Sequence, residues 1–249
     1  MTTANRFGAP SLDNRLRTAL SALAICVGGL VAGIVGLFFP IGAVLNGLEL
    51  AGPVASEQLS AHGIQIGFAV FGLLYLATRD NLEQYVRVRR PTFEDLAWLV
   101  GVVVAVPVLA GLASQALAVI GLAASEHHGE AFALYEHPAA IPALFVGLYL
   151  FAAPAEELVY RGLIHGRLRD AFSTRERVLL AGALFGFMHL LVGFLTPGTG
   201  VAGAFRWGLT ACVPGIVWGL AYEQTDNLAI TAVAHAVSWT VPIGTLLGL

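Results

Sequence analysis

Long runs of apolar residues, separated by short polar stretches, are the dominant pattern along this chain of 249 residues. An α-helix that crosses the hydrocarbon core of a bilayer needs about 20 mostly apolar residues. By that measure the pattern predicts about seven membrane-spanning helices, and counts of six to eight are compatible with the same runs. The period-two alternation of a half-buried strand is absent. The predicted spans are residues 18–39, 62–78, 95–123, 139–165, 177–196, 203–222 and 227–247.

Composition supports the same interpretation, since 57% of the residues are hydrophobic and 12% are charged. A soluble globular domain averages about 45–50% apolar and about 25% charged residues. This chain therefore has too few polar side chains to cover a water-facing surface. We predict an all-α fold, a polytopic transmembrane helical bundle, in which a polar N-terminal tail (residues 1–16) precedes a single transmembrane domain (residues 17–249).

The arginines give the orientation of the bundle. They lie before the first predicted span, after the second and after the fourth, whereas the loops on the opposite side contain acidic but no basic residues. Basic residues favour the cytoplasmic side of a membrane. We therefore expect an integral protein of the plasma membrane with a cytoplasmic N-terminus.

Charge and cysteine content exclude other classes of function. All 13 basic residues are arginine, the net charge is −3, and the sequence has no clustered basic face of the kind that a nucleic-acid partner requires. Cys26 and Cys212 both lie in apolar runs and indicate neither a disulfide framework nor a metal cluster.

Ionisable residues in the fourth span indicate a functional site. Charged groups near the centre of a membrane helix cost about 2.5–3.5 kcal/mol on insertion scales, so they usually face the interior of a bundle. Glu157 and Arg161 have the i,i+4 spacing of a helical ion pair. Glu156 is rotated by about 100° and is the freer carboxylate. Pro154 is expected to break or kink the helix. The alternative is an interfacial salt bridge with one solvated glutamate.

Two intramembrane histidines complete the pattern. His189 shares a helical face with Phe185 in the fifth span, and His235 lies in the seventh, close to Ser238 and Trp239. Each histidine alone would be read as a structural residue. At about 1.5 Å per residue, however, both lie about 14–16 Å from the cytoplasmic end of their spans, as do the carboxylates of the fourth span. We predict that these side chains meet at one level.

The motifs Glu-Glu-x-x-x-Arg (156–161) and Phe-x-x-x-His (185–189), followed by a later intramembrane histidine, resemble the CPBP family. This family is also called the ABI or CAAX-protease-and-bacteriocin-processing family, and the resemblance covers about residues 140–245. It implies an intramembrane endopeptidase of the glutamate type, formerly described as a metalloendopeptidase. Its partners would be membrane lipid and a membrane-associated peptide or protein, including prenylated CAAX-type substrates.

The resemblance also implies catalytic roles. Glu156 would be the general base that activates water, and His189 would help to hold that water. Glu157 and Arg161 would be the pair that fixes the first carboxylate, and His235 would belong to the group that stabilises the oxyanion.

One position departs from the family pattern. Four residues after the last histidine the family often has asparagine or a similar polar residue, and here Trp239 occupies that position. Trp239, the adjacent Ser238 and Phe185 are therefore candidate oxyanion or pocket residues. Either the oxyanion hole is rebuilt, or this protein is catalytically weak or silent.

Three alternatives remain open at this point. No cofactor is expected, although Zn²⁺ held by Glu156, His189 and His235 is a second version of the protease; the sequence has no His-Glu-x-x-His motif. A catalytically silent scaffold or immunity-type protein could use the same fold. A proton relay in a transporter would also place Glu and His in the membrane, but no inverted repeat is evident in the sequence.

Overall fold

The computed structural model describes residues 10–36, 63–122, 145–196 and 198–241. Regular structure in these ranges is entirely helical, which confirms the predicted fold class, and it forms seven helices at the predicted places. The fourth helix is an unbroken run of four segments, and a 3₁₀ turn (Leu82–Gln84) precedes the third. The helices are α1 (Leu12–Gly36), α2 (Gly63–Ala77), α3 (Phe93–Val119), α4 (Leu148–Ala152, Ala153–Glu157, Leu158–Ile164 and His165–Leu168), α5 (Thr174–Leu195), α6 (Gly200–Thr225) and α7 (Leu228–Thr240).

Four of these helices, α1, α3, α5 and α6, are long and apolar enough to cross a membrane. α2 and α7 are apolar but shorter, with 15 and 13 residues. Large apolar side chains cover the outside of the bundle, among them Leu74 and Val100, each 64% exposed. Such a surface suits contact with lipid rather than water. The loops that carry the acidic residues of the opposite side (residues 37–62 and 123–144) lie outside the described residues.

Two helix boundaries follow from local polar contacts. α1 begins at Leu12, within the tail expected at residues 1–16, and its first turns carry the i,i+4 ion pair of Asp13 and Arg17 (3.1 Å). α5 begins after Ser173, whose backbone N–H donates to Glu176 Oε2 (2.8 Å). Side-chain acceptors of this kind satisfy the first, otherwise unpaired amides of a helix.

α4 continues through Pro154, so of the expected break or kink at this residue the structure excludes a break. The structure instead changes helix type on both sides, with π-helical turns at Leu148–Ala152 and Leu158–Ile164. Proline cannot donate the i→i−4 hydrogen bond of an α-helix. The π-turn directly before Pro154 removes the need for that bond, and the helix runs on to Leu168.

Glycines allow α5 and α6 to pack with their backbones in near contact. A methyl group on Gly186 would lie 2.5 Å from the carbonyl oxygen of Gly208, and one on Gly215 would lie 2.9 Å from Cα of Gly182. Small residues allow this approach in membrane bundles, where van der Waals packing drives helix association. This close contact between α5 and α6, the α5–α6 seam, fixes α6 next to α5 and α4, where the functional site lies.

Candidate active site

A fully buried ion pair lies in the middle of α4. Arg161 Nη1 is 2.8 Å from Glu157 Oε1, and the two side chains are 1% and 0% exposed. The i,i+4 spacing on the helix brings them together, as predicted from the sequence. The second terminal nitrogen, Arg161 Nη2, donates to the backbone carbonyl of Gly215 on α6 (2.9 Å). The pair therefore joins α4 to α6.

His235 on α7 is held by the same carboxylate oxygen. Its Nδ1 lies 2.9 Å from Glu157 Oε1. An ionised carboxylate only accepts hydrogen bonds, so Nδ1 carries the proton and donates. The opposite ring nitrogen, Nε2, is 3.8 Å from Glu156 Oε2. That separation is too long for a direct hydrogen bond, but a single water can hydrogen-bond to both atoms.

Glu156 is buried beside His235 but is anchored from another helix. Its Oε1 accepts a hydrogen bond from Gln65 Nε2 of α2 (2.8 Å). Its Oε2 has no hydrogen-bond partner among the described residues. The sequence analysis did not identify Gln65, although an amide within an apolar helix was a signal of the same kind as the intramembrane glutamates.

His189 on α5 has a defined ring orientation. Its Nδ1 lies 2.8 Å from the carbonyl oxygen of Phe185. Because a carbonyl only accepts, Nδ1 is the donor of this hydrogen bond, which fixes the orientation of the ring. The imidazole also packs against the Phe185 ring at 4.5 Å between centroids and against Trp207 at 5.5 Å.

Aromatic rings surround His235. Trp218 stacks on its imidazole at 4.0 Å between centroids, and Trp239 packs against it at 4.2 Å. Phe185 lies 6.0 Å away and connects the two histidines. Trp239 is thus a direct neighbour of His235, as its spacing of four residues suggested. Trp218 was not identified from the sequence.

A cavity of about 460 Å³ opens beside these rings, between α3, α5, α6 and α7. His189, His235 and Phe185 line it, together with Ser238 and Trp239. The hydroxyl of Ser238 donates to the carbonyl of His235 in its own helix (2.6 Å). Glu156 and Glu157 are not among the lining residues, although both lie close to the ring nitrogens of His235.

The structure shows part of the predicted convergence, since it brings the carboxylates of α4 together with His235 of α7. Glu156, Glu157, Arg161 and His235 form one connected cluster from α4 and α7. His189 joins it through Phe185 and the shared cavity. The ion pair, however, contacts His235, whereas Glu156 is held by Gln65. The resemblance assigned the positioning of the Glu156 carboxylate to Glu157 and Arg161. In the structure, the side chain that hydrogen-bonds to Glu156 is Gln65 instead.

The alternative zinc set does not have the arrangement of a metal site. In the part of the chain that the structure describes, no group of three or more His, Cys, Asp or Glu side chains is placed to hold a metal ion. His235 donates from Nδ1 to Glu157 and turns Nε2 toward Glu156, which a metal-binding histidine could also do, but His189 does not complete the set of three ligands. The described residues therefore do not fit a bound zinc, and no step of the reaction is derived through one.

Comparison with known proteins gave one match. Residues 138–241 match the family model described as type II CAAX prenyl endopeptidase Rce1-like. The matched segment contains α4 to α7 as described and all site residues named from the sequence, while α1, α2 and α3 precede it. No curated protein and no solved structure matches the chain.

Arg161→Met is expected to lower the free energy of unfolding by about 3–5 kcal/mol, because it leaves the Glu157 carboxylate buried without its cation. Adding Glu157→Gln should recover part of that loss, since the uncompensated charge is then gone. Unfolding by denaturant in detergent micelles measures both variants. A double variant less stable than the Arg161→Met single variant would contradict the burial of this pair.

Proposed function

Since residues 138–241 match the Rce1-like family of type II CAAX prenyl endopeptidases, we propose that this membrane protein is an intramembrane endopeptidase of the glutamate type. Its substrate is a membrane-associated peptide or protein, with prenylated CAAX-type sequences as the first candidates. The family match supports protease activity in general. The catalytic assignment rests on the geometry of the cluster around His235.

One observation carries the assignment of Glu156 as general base. Its Oε2 is buried, has no hydrogen-bond partner among the described residues and lies 3.8 Å from His235 Nε2. A water hydrogen-bonded to both atoms is positioned to lose a proton to Glu156 as its oxygen attacks the scissile carbonyl. His189 lines the cavity together with His235, and its proposed role is to help to hold this water.

Glu157 and Arg161 act through His235. The hydrogen bond from Nδ1 of His235 to Glu157 fixes the imidazole ring. The opposite nitrogen, Nε2, faces the reacting centre, and a proton carried there would be available to the developing oxyanion. A preorganised donor at that position lowers the barrier because it needs no reorientation during the reaction. As the tetrahedral intermediate collapses, Glu156 gives the proton to the nitrogen of the leaving amine.

Trp239 favours a second candidate function, a catalytically silent scaffold of the same fold. Its ring packs against His235 and forms part of the cavity wall, at the position where the family often has a smaller polar residue. Under this alternative the ion pair and the aromatic rings would serve packing alone. Substitutions in the site distinguish the protease from the silent scaffold, because only the protease has a cleavage activity to lose.

Glu156→Gln is expected to reduce cleavage by about 100-fold or more, because an amide cannot take the proton of the attacking water. His189→Ala should also abolish most activity. The measurement is hydrolysis of a farnesylated CAAX peptide, and of a transmembrane peptide without the prenyl group, by the full chain in proteoliposomes. Glu83→Gln, at an exposed carboxylate of the 3₁₀ turn, is the matched control and should retain activity.

Unchanged cleavage in Glu156→Gln would refute the assignment of the base. Cleavage by the unmodified protein is also expected to persist in the presence of a strong chelator. Loss of activity on chelation, restored by added Zn²⁺, would favour the metal-dependent version instead. Cleavage of neither peptide by a folded wild-type protein would favour the scaffold.

Trp239→Asn is expected to preserve or raise the cleavage rate, because the smaller amide opens the cavity and offers a hydrogen-bond donor beside His235. Trp239→Phe keeps an aromatic ring against the imidazole and is the comparison variant. Initial rates on the two peptides measure both. A collapse of activity in Trp239→Asn with retention in Trp239→Phe would show that the aromatic contact itself is needed.

A further inference from the structure

Gln65 lies outside the matched segment, on a helix held close to the catalytic bundle. A methyl group on Gly67, two residues later, would lie 2.2 Å from the carbonyl oxygen of Ala32, so the backbones of α1 and α2 are in contact. One turn further along α2, Gly72 faces Leu158 of α4 in the same way, with 2.8 Å to a methyl carbon. α2 is therefore fixed against both α1 and α4, and the position of the Gln65 side chain is set by this packing.

The hydrogen bond to Glu156 determines which way the amide faces. Gln65 Nε2 lies 2.8 Å from Glu156 Oε1, and a carboxylate oxygen requires the NH₂ group rather than the amide oxygen as its partner. Gln65 Oε1 consequently points away from the carboxylate. This atom is buried, and it has no hydrogen-bond partner in the described part of the chain.

Two buried acceptors therefore lie on one pair of side chains, Gln65 Oε1 and Glu156 Oε2. Buried polar atoms in folded proteins nearly always have a partner, and leaving one unpaired costs about 1–3 kcal/mol. Of the two, Glu156 Oε2 lies 3.8 Å from His235 Nε2, where the attacking water can donate to it. The hydrogen bond from Gln65 to Oε1 leaves Oε2 as the oxygen that can take part in the reaction.

We infer that Gln65 is a positioning residue for the catalytic carboxylate: it holds Glu156 Oε1 so that Oε2 faces His235 and the attacking water. The inference rests on the proposed function of Glu156 and extends the active site to α2. Gln65 acts through Glu156 and touches no reacting atom. Its loss should therefore lower the rate of the chemical step and leave substrate binding nearly unchanged.

The experiment compares Gln65→Met with wild type in proteoliposomes. Methionine has a similar length but cannot donate, so kcat is expected to fall by about 10- to 100-fold, as for a lost hydrogen bond to a charged group, while KM stays within about threefold. Gln84→Met is the matched control, since the amide of Gln84 also donates hydrogen bonds to α4 and the turn after it, but to Gly166 and Asp170 rather than to Glu156. Its kcat should equal that of wild type.

Gln65→Glu adds a readout that a purely structural role would not produce. Two adjacent carboxyl groups share one proton, and in the protonated state the substituted side chain donates to Glu156 again. Relative to wild type, Gln65→Glu should keep activity while the pair holds this proton and lose activity as the pH rises and the proton is released. Gln65→Met should show no such dependence on pH.

The outcomes separate the inference from the proposed function. If wild type cleaves and Gln65→Met has an unchanged kcat, the positioning role of Gln65 is overturned and the function of Glu156 stands. If Gln65→Met is folded but loses activity through KM alone, the inference is also overturned, because Gln65 then contributes to binding. If wild type cleaves neither peptide, the proposed function fails and the inference fails with it.

Discussion

The carboxylate of Glu157 accepts two hydrogen bonds at one buried oxygen, from Arg161 on its own helix and from His235 on α7. Everything else in the site is arranged around this oxygen. A buried ion pair contributes little net stability, because both charges lose their hydration, but removing one partner is strongly destabilising. The two hydrogen bonds to Glu157, together with that from Arg161 to Gly215, therefore fix α4 relative to both α7 and α6. Their structural consequence is a fixed imidazole whose second nitrogen faces Glu156.

This arrangement depends on close packing elsewhere in the bundle. Arg161 reaches the carbonyl of Gly215 because α6 lies against α5 through glycines, with Gly182 directly opposite Gly215. Phe185, on the same face of α5, packs 5.1 Å from the Arg161 guanidinium and 4.5 Å from the His189 ring. Small residues thus set the distance between backbones, and the aromatic residues occupy the remaining space around the charged cluster. A larger residue at these glycines of the α5–α6 seam would displace the carbonyl oxygen of Gly215, which accepts the hydrogen bond from Arg161.

The sequence predicted the features that depend on local spacing. Hydropathy located the seven helices, and the i,i+4 rule identified Glu157 and Arg161 as a pair. The depth of His235 in its span predicted its meeting with the carboxylates. Features that depend on how helices pack were not predictable in this way. Examples are the anchoring of Glu156 by Gln65 and the stacking of Trp218 on His235, both of which join helices far apart in the sequence. The change of helix type around Pro154 was missed because proline alone indicates a break.

The central claim is that Glu157 contributes to catalysis by holding His235, and a double-mutant cycle on peptide cleavage tests it most directly. The cycle compares kcat/KM of the Glu157→Gln and His235→Ala variants with that of the double variant, each corrected for its folded fraction. If Glu157 acts through His235, adding Glu157→Gln to the His235→Ala variant should change kcat/KM by no more than about twofold, so that the two losses are strongly non-additive. Fully additive losses would show that the two residues act independently and would contradict the account.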